Sequence, residues 1–328
     1  MTAQPVATAL WITASGRAER RTEPLSPRPE GFVRVRTITS GISRGTESLI
    51  LRGGVPISEA ERMRAPFQHG AFPFPVKYGY AAVGTIIEGP PARIGQTIFC
   101  LHPHQDVFDI PADAALPVPA DVPPARAVLA PQIETALNAT WDAAIGIGAT
   151  IAIIGSGVIG ALIGYLCTRL PATDVTLIDR QPDRRALAEH LGCRFRTADN
   201  PPDAVCDVVF HTSGTGDGLD LAIGCAGFEA KLIELSWYGD RPVTIHLGGA
   251  FHSRRLTLLS SQVSHVAATH RARWPHRRRL ALALALCADP ALDRLTDAAT
   301  PFEQSAQRYG EILSDPATMC HRFNYRGD

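Results

Sequence analysis

A chain of 328 residues is too long for one ordinary hydrophobic core and predicts two domains. Hydrophobic residues make up 45% of it and charged residues 20%, which excludes a disordered polymer. Lys+Arg and Asp+Glu balance at 32 each, so no global charge draws the chain to nucleic acid or to an anionic membrane.

The stretch from Met1 to Leu10 has no basic region followed by an apolar core, so no signal peptide is expected and a cytoplasmic setting is. Residues Val6 to Pro119 then read as many short strands, among them FVRVRTITSGI, YAAVGTIIEG, GQTIFCL and DVFDIP, parted by Pro and Gly clusters. At PVPADVPPARA, Pro117 to Ala127, the period changes, and PARAVLAPQIETALNATWDAA carries apolar residues at helical spacing. Strand and helix alternate from there: TIAIIG, VIGALIGYLCTRL, DVTLIDR, DRRALAEHLG, DVVFHTSG, GLDLAIGCAG and AKLIELSW. Helices of about a dozen residues between strands imply βαβ units and a parallel sheet. The tail runs through RLTLLSSQV, a basic stretch, a helix at RRLALALALCAD, a helix at PFEQSAQRYGEILS and a short strand at CHRFNY. No apolar run approaches the ~20 residues of a membrane helix, and LALALALCA (Leu280 to Ala288) predicts a buried helix instead.

The seven cysteines are odd in number and scattered, with no C-x-x-C pair. That pattern excludes the common zinc clusters and a disulfide framework, so they read as small buried hydrophobes.

TIAIIGSGVIG puts Gly155, Gly157 and Gly160 in G-x-G-x-x-G register between an apolar strand and an apolar helix. Gly155 permits the tight turn, Gly157 close approach of the backbone to a pyrophosphate, and Gly160 close packing of helix on strand. Ser156, Val158 and Ile159 complete the turn, whose helix N-terminus offers unpaired N–H groups to phosphate. Asp179 closes the next apolar strand about 20 residues on, where a carboxylate accepts ribose hydroxyls and repels a 2′-phosphate. NAD is therefore favoured over NADP, a preference that Arg180 weakens without reversing. Ser213, after the strand DVVFH, joins the cofactor set, and Arg44 reads either as a pyrophosphate clamp or as a surface residue. The bland counterpart of the whole motif is a glycine-rich turn with no ligand.

A β-rich first half, a Rossmann unit and a returning tail together resemble the medium-chain dehydrogenase/reductase superfamily. The carriers are SGISRGTESL (Ser40 to Leu49), YGYAAVG, PADAALPVPADVP, IETALNA, GSGVIG and LIDRQPDRRALAEHLG. The resemblance implies an α/β fold: a GroES-like catalytic domain over 1–122, a Rossmann doubly wound parallel sheet over 123–269, and a return to the catalytic domain over 270–328. Zinc members of the superfamily carry a cysteine, a G-H-E histidine and a third ligand before the Rossmann unit. Here those positions read Ser43, Tyr80 and Pro131, and the four-cysteine lobe of a structural zinc is missing. The narrower likeness, through G-I-S-x-G-T-E, is to the zinc-free branch around bacteriochlorophyllide hydroxyethyl dehydrogenase. It implies oxidation of a secondary alcohol to a ketone with NAD and no zinc.

Without a metal, hydrogen-bond donors must stabilise the developing alkoxide. Tyr80 stands first, as a phenol at the lost ligand position, beside the reading of a core tyrosine bonded to a backbone carbonyl. Thr46 matches the superfamily's proton-passing hydroxyl. Glu47 is a catalytic carboxylate or a structural one paired with an arginine. Ser43 donates a hydrogen bond or caps a turn. Lys77 and Tyr78 point to opposite faces of a strand and do not act as a pair. His69, in the stretch ERMRAPFQHGAFPFP, is a candidate for the substrate mouth. His252, Arg254 and Arg255 in GGAFHSRRLTLLSSQ either bind anionic groups or form a solvated turn. His102 and His104 resemble an H-x-H metal pair without a third ligand and read as a satisfied surface pair. RARWPHRRR reads as a solvated helix start rather than an RNA surface. RLTLLSSQV offers a sheet edge for a homodimer.

Three functions follow from these residues. The first is a zinc-independent NAD(H) oxidoreductase acting on a secondary alcohol or ketone. The second is an NADPH-dependent quinone or enoyl reductase, weighed down by Asp179. The third is a non-catalytic protein that senses NAD(H) or binds RNA.

Overall fold

The computed structural model describes residues 5–296 and 298–325. They divide into two units, Met1–Pro131 with Leu284–Asp328, and Gln132–Ala283. Each division falls inside a helix, later in the chain than the breaks at 122/123 and 269/270 read from the sequence. A change of hydrophobic period marks where an element begins, whereas a helix can change partners partway along its length.

Unit one opens with a hairpin of β1 (Val6–Ala14) and β2 (Arg17–Pro24), turned at Gly16 with φ of 73°. The sequence reading passed over this hairpin because β2, RAERRTEP, is polar nearly throughout and one-sided in its burial. There follow β3 (Phe32–Gly41), α1 (Arg44–Leu51), β4 (His69–Gly70), β5 (Val76–Lys77) and β6 (Ala82–Glu88). Then come β7 (Thr97–Cys100), β8 (Val107–Pro111), β9 (Leu116–Pro117) and α2 (Pro124–Ala127). One sheet runs β2-β1-β5-β4. In the other, β3 pairs antiparallel with β6 and β8. Its core is aliphatic and aromatic: Val33, Val35, Ile86, Ile98, Phe108 and Ile110. Full burial of each such side chain stabilises by roughly 1.5–3 kcal/mol. Arg34, buried on the same strand, is held by a bidentate pair of hydrogen bonds to Asp109, both 2.9 Å.

In unit two, α3 (Ala130–Ala143) leads into β10 (Thr150–Ile154), α4 (Val158–Cys167), β11 (Asp174–Asp179), α5 (Arg185–His190) and β12 (Arg194–Thr197). The second half adds β13 (Cys206–His211), α6 (Gly216–Cys225), β14 (Ala226–Glu234), β15 (Thr257–Ser260) and α7 (His276–Leu286). The strands form one parallel sheet in the order β12-β11-β10-β13-β14-β15. The order reverses between β10 and β13, the position where open α/β sheets take ligands at the carboxyl ends of their strands. Register aligns Ile178, Ile154, His211, Glu234 and Ser260 in one row along that edge.

The chain then returns to unit one with β16 (Ala299–Pro301), α8 (Ser305–Ser314) and β17 (Arg322–Asn324). β17 pairs antiparallel with β3, and β16 parallel with β17. On α8 the buried residues Ser305, Tyr309, Ile312 and Leu313 recur at helical spacing, which fixes one face inward. Helix α7, expected to be buried, is amphipathic: Arg279, Leu280, Ala283 and Leu284 are buried while Arg278, Ala281 and Ala285 are exposed. All seven cysteines are buried thiols. Among the described residues no helix is long and apolar enough to cross a membrane.

Candidate functional site

The glycine turn lies at the point where the strand order reverses. Gly155 has φ of 102°, and a side chain there would press on Thr212 and on the Ser213 backbone. A Cβ at Gly160 would collide with the Gly155 carbonyl oxygen. The fold itself thus requires both glycines. Gly157 is different: it is the N-cap of α4 with ordinary φ of −70° and ψ of −176°, and a Cβ there would meet nothing within 4 Å. Neither strain nor packing within the chain calls for glycine at that position. Beside it the Ser156 side chain is wholly buried, and its hydroxyl has no hydrogen-bond partner among the described residues. Val158 and Ile159 form the half-buried first turn of α4.

Asp179 ends β11 with one carboxylate oxygen accepting from Ser156 N–H at 2.7 Å and the other from Gln181 N–H at 2.9 Å. Each oxygen keeps a lone pair for a further donor, and the carboxylate borders the turn as a dinucleotide requires. Arg180 is exposed next to it. These features fit a dinucleotide: open space at Gly157, an orphaned hydroxyl, a helix N-terminus and an acid on the adenosine side.

Across the reversal, Ser213 is exposed and its Oγ lies 2.7 Å from His211 Nε2. His211 is fully buried, and its Nδ1 lies 2.7 Å from Glu234 Oε2. The Tyr238 hydroxyl donates to the same carboxylate oxygen at 3.0 Å. The sequence reading found Ser213 but missed His211 and Glu234, which face one another only through the parallel register of β13 and β14.

In unit one the structure brings Ser43, Thr46 and Tyr80 together. Ser43 is the N-cap of α1, Thr46 lies in its first turn, and the Tyr80 hydroxyl donates to Thr46 Oγ1 at 3.3 Å. Burial pushes the Tyr80 phenol up to about 12, against the lowering effect of hydrogen bonds to Ser43 and Thr46. The phenol therefore remains a donor at neutral pH. Glu47 is fully buried and serves another purpose. It accepts from Ser43 N–H at 2.7 Å and from the Tyr309 hydroxyl at 2.6 Å, and pairs with His104 Nε2 at 3.0 Å. The expected arginine partner is thus a histidine and a tyrosine. Ser40 links the other ring nitrogen of His104, at 2.7 Å, to the Tyr325 hydroxyl at 2.9 Å.

His102 and His104 are buried, not a surface pair. His102 stacks on Phe108 at 3.7 Å between centroids, and burial pulls its ring down to about 3, keeping it neutral. Pro103 between them turns the two rings to different surroundings. Lys77 donates to Gln105 at 2.8 Å, away from any role with Tyr78. Arg44 opens α1, half-buried. His69 is exposed on β4, paired with Lys77 of β5.

His252 and Arg254 lie before β15, at the amino edge of the parallel sheet, opposite the glycine turn. Arg254 donates to the Ala226 carbonyl at 3.0 Å and the Gly224 carbonyl at 3.3 Å, capping the end of α6. Arg255 pairs with Glu229 at 2.8 Å. These residues are not brought near the turn, because β15 is parallel and its amino end points away. The basic stretch departs from a solvated helix start at Arg279, which is buried against Glu134 at 3.0 Å and holds the Val263 carbonyl. Its aromatic faces are taken internally: Trp141 stacks on His270 at 4.1 Å, and Arg278 lies over Trp274 at 3.9 Å. Among the described residues no group of three or more His, Cys, Asp or Glu could hold a metal ion. Ser43, Tyr80 and Pro131 do not fit a zinc centre, since none is a thiolate, imidazole or carboxylate.

No family model matches the chain. L-threonine 3-dehydrogenase of Ruegeria pomeroyi is 28% identical over 126 residues, 38% of this chain and 36% of that protein. The enzyme of the same name from Bacillus velezensis is 27% identical over 150 residues, 42% and 43%. The matches thus span less than half the length of these curated relatives. Among solved structures, a Sinorhizobium meliloti dehydrogenase described as zinc-binding, bound to NADP, superposes with a TM-score of 0.76 at 19% identity, covering 98% of this chain and all of that one. An Escherichia coli CFT073 alcohol dehydrogenase complexed with NADH gives 0.75 at 16%, over 97% and 99%. The 2R,3R-butanediol dehydrogenase of Bacillus subtilis gives 0.76 at 16%, over 98% and 100%. The chain has the mixed α/β, GroES-like plus Rossmann-type architecture of these dehydrogenases. The solved structures show this fold, and the curated relatives match part of the chain in sequence.

Proposed function

We propose that the chain is a zinc-independent oxidoreductase transferring a hydride between NAD(H) and a secondary alcohol or ketone. The observation that carries it is the pair Gly157 and Ser156: a glycine that no described part of the chain demands, next to a buried hydroxyl with no partner among the described residues. Both are accounted for by a pyrophosphate laid against the start of α4. When bound, the nicotinamide ring supplies the hydride acceptor or donor. Asp179 receives the adenosine ribose and disfavours a 2′-phosphate, which sets NAD above NADP. Tyr80, held protonated, turns its one proton from Thr46 Oγ1 to the substrate oxygen, with Thr46 and Ser43 keeping its hydroxyl in place. The three ligand positions of the zinc branch hold no fitting donor, so no step runs through a metal. We place the chain with the zinc-free branch around bacteriochlorophyllide hydroxyethyl dehydrogenase, on the segment G-I-S-x-G-T-E. The edge strand β15 is exposed along its whole length and suits pairing with a second copy. Seven buried thiols agree with a cytoplasmic setting.

Calorimetric titration with NADH and NADPH tests the cofactor assignment. The native chain should bind NADH more tightly than NADPH. Gly157→Val should weaken NADH at least about tenfold while costing about 1 kcal/mol of fold stability as a poorer N-cap. A Gly157→Val chain that binds NADH as the native one does would remove the main support.

A further inference from the structure

The row of residues at the carboxyl edge of the parallel sheet holds one group that the proposed chemistry leaves unused. His211 and Glu234 end neighbouring strands, β13 and β14, opposite each other in register. Their side chains are 0% and 13% exposed. Burying an imidazole and a carboxylate in a sheet of Val, Leu and Ile is unfavourable unless both are fully bonded. Here they are. Burial alone would raise the Glu234 carboxyl, but hydrogen bonding and charge from His211, with the Ser236 N–H, leave it lowered. His211 Nδ1 faces the Glu234 carboxylate and Nε2 faces the Ser213 hydroxyl, so the ring ties the serine to the carboxylate.

The Ser213 oxygen has a second neighbour, Thr215 Oγ1 at 3.1 Å. Thr215 caps α6 by accepting from Gly218 N–H and shares a further hydrogen bond with Ser213 in which either hydroxyl can donate. Two of the three hydrogen-bonding positions of the Ser213 hydroxyl are thus taken, and one is left on an exposed residue. The loop is further pinned by Gly214 N–H, which donates to Ser236 Oγ at 3.1 Å. Such a side chain is a fixed hydrogen-bonding group for an outside partner.

Its place in the fold says which partner. Asp179 ends the strand next to β10 on one side of the reversal, and Glu234 ends the strand next to β13 on the other. A dinucleotide that straddles the reversal, with its adenosine at Asp179, lays its second nucleotide over β13 and β14. Resting on the NAD reading above, we infer that Ser213 hydrogen-bonds the nicotinamide nucleotide half, with His211 and Glu234 as its positioning residues. The partner group is a ribose hydroxyl or the ring carboxamide.

The experiment compares NADH, ADP-ribose and ADP by calorimetry on the full chain. Ser213→Ala should lower NADH affinity about three- to tenfold, the worth of one hydrogen bond, and leave ADP unchanged. Ser213→Thr, which keeps the hydroxyl, should restore NADH binding. His211→Gln and Glu234→Gln should repeat the Ser213→Ala pattern, a selectivity that a merely structural role would not produce. Loss of ADP-ribose affinity in step with NADH assigns the ribose, and loss of NADH affinity alone assigns the carboxamide; both sustain the inference. Equal losses for NADH and ADP, or no loss for either, would overturn it while leaving the NAD reading standing. A native chain that binds none of the three overturns the NAD reading, and this inference with it.

Discussion

In unit two, Gly155, Ser156, Gly157 and Gly160 occupy a single turn of chain, and their geometry follows from their spacing. In unit one, the groups around Tyr80 come from far apart: Glu47 and Tyr309 are 262 positions distant yet share a 2.6 Å hydrogen bond. The first site is made by backbone, with open space and N–H groups as its working parts. The second is made by side chains whose hydroxyls and carboxylate are bonded to one another. A site of the first kind tolerates change around it and fails only at its glycines. One of the second kind couples chemistry to stability, because each acceptor removed strands several buried donors.

The largest expected effect therefore lies in unit one. Glu47→Ala leaves His104, Tyr309 and the Ser43 N–H without their acceptor, and should cost about 3–5 kcal/mol in a urea unfolding series. A loss below about 1 kcal/mol would mean the two regions are built alike after all. Next comes Tyr80→Phe, which removes the donor while keeping the ring. Its kcat should fall about a hundredfold with NADH affinity unchanged, and chelator added to the native assay should cost no activity. With the phenol at about 12, the deficit should stay constant from neutral pH to about 11; an unchanged kcat would make Tyr80 structural. The smallest effect belongs to the backbone site's one charged member. Asp179→Asn keeps an acceptor for the turn and removes the charge, so the NADH-over-NADPH affinity ratio should narrow about tenfold. A ratio that does not move would separate Asp179 from cofactor choice.

The same contrast explains what the sequence revealed. Period and punctuation located βαβ units, the glycine turn and Asp179, since each is defined by neighbours along the chain. The cluster of Ser43, Thr46 and Tyr80 was legible because two of the three share a helical turn. His104 and Arg279 were misplaced on the surface, since histidine and arginine are exposed by default and their buried partners, Glu47 and Glu134, lie far away in sequence. For His252 and Arg254 the sequence left an anion site and a solvated turn both open, because polarity along one strand does not announce which end meets the glycine turn. His211 and Glu234 escaped notice for a related reason: only strand register makes them a pair.

The buried thiols carry a consequence for how this protein moves. Six of the seven have their ionisation pushed up by burial to between about 11 and about 12, and Cys100 is raised as well. At neutral pH hardly any thiolate forms while the native packing holds, so alkylating reagents have nothing to attack. Each cysteine reacts only when its own neighbourhood opens, and the cysteines are spread over both units. Their labelling rates would thus form a map of local breathing already written into the native chain.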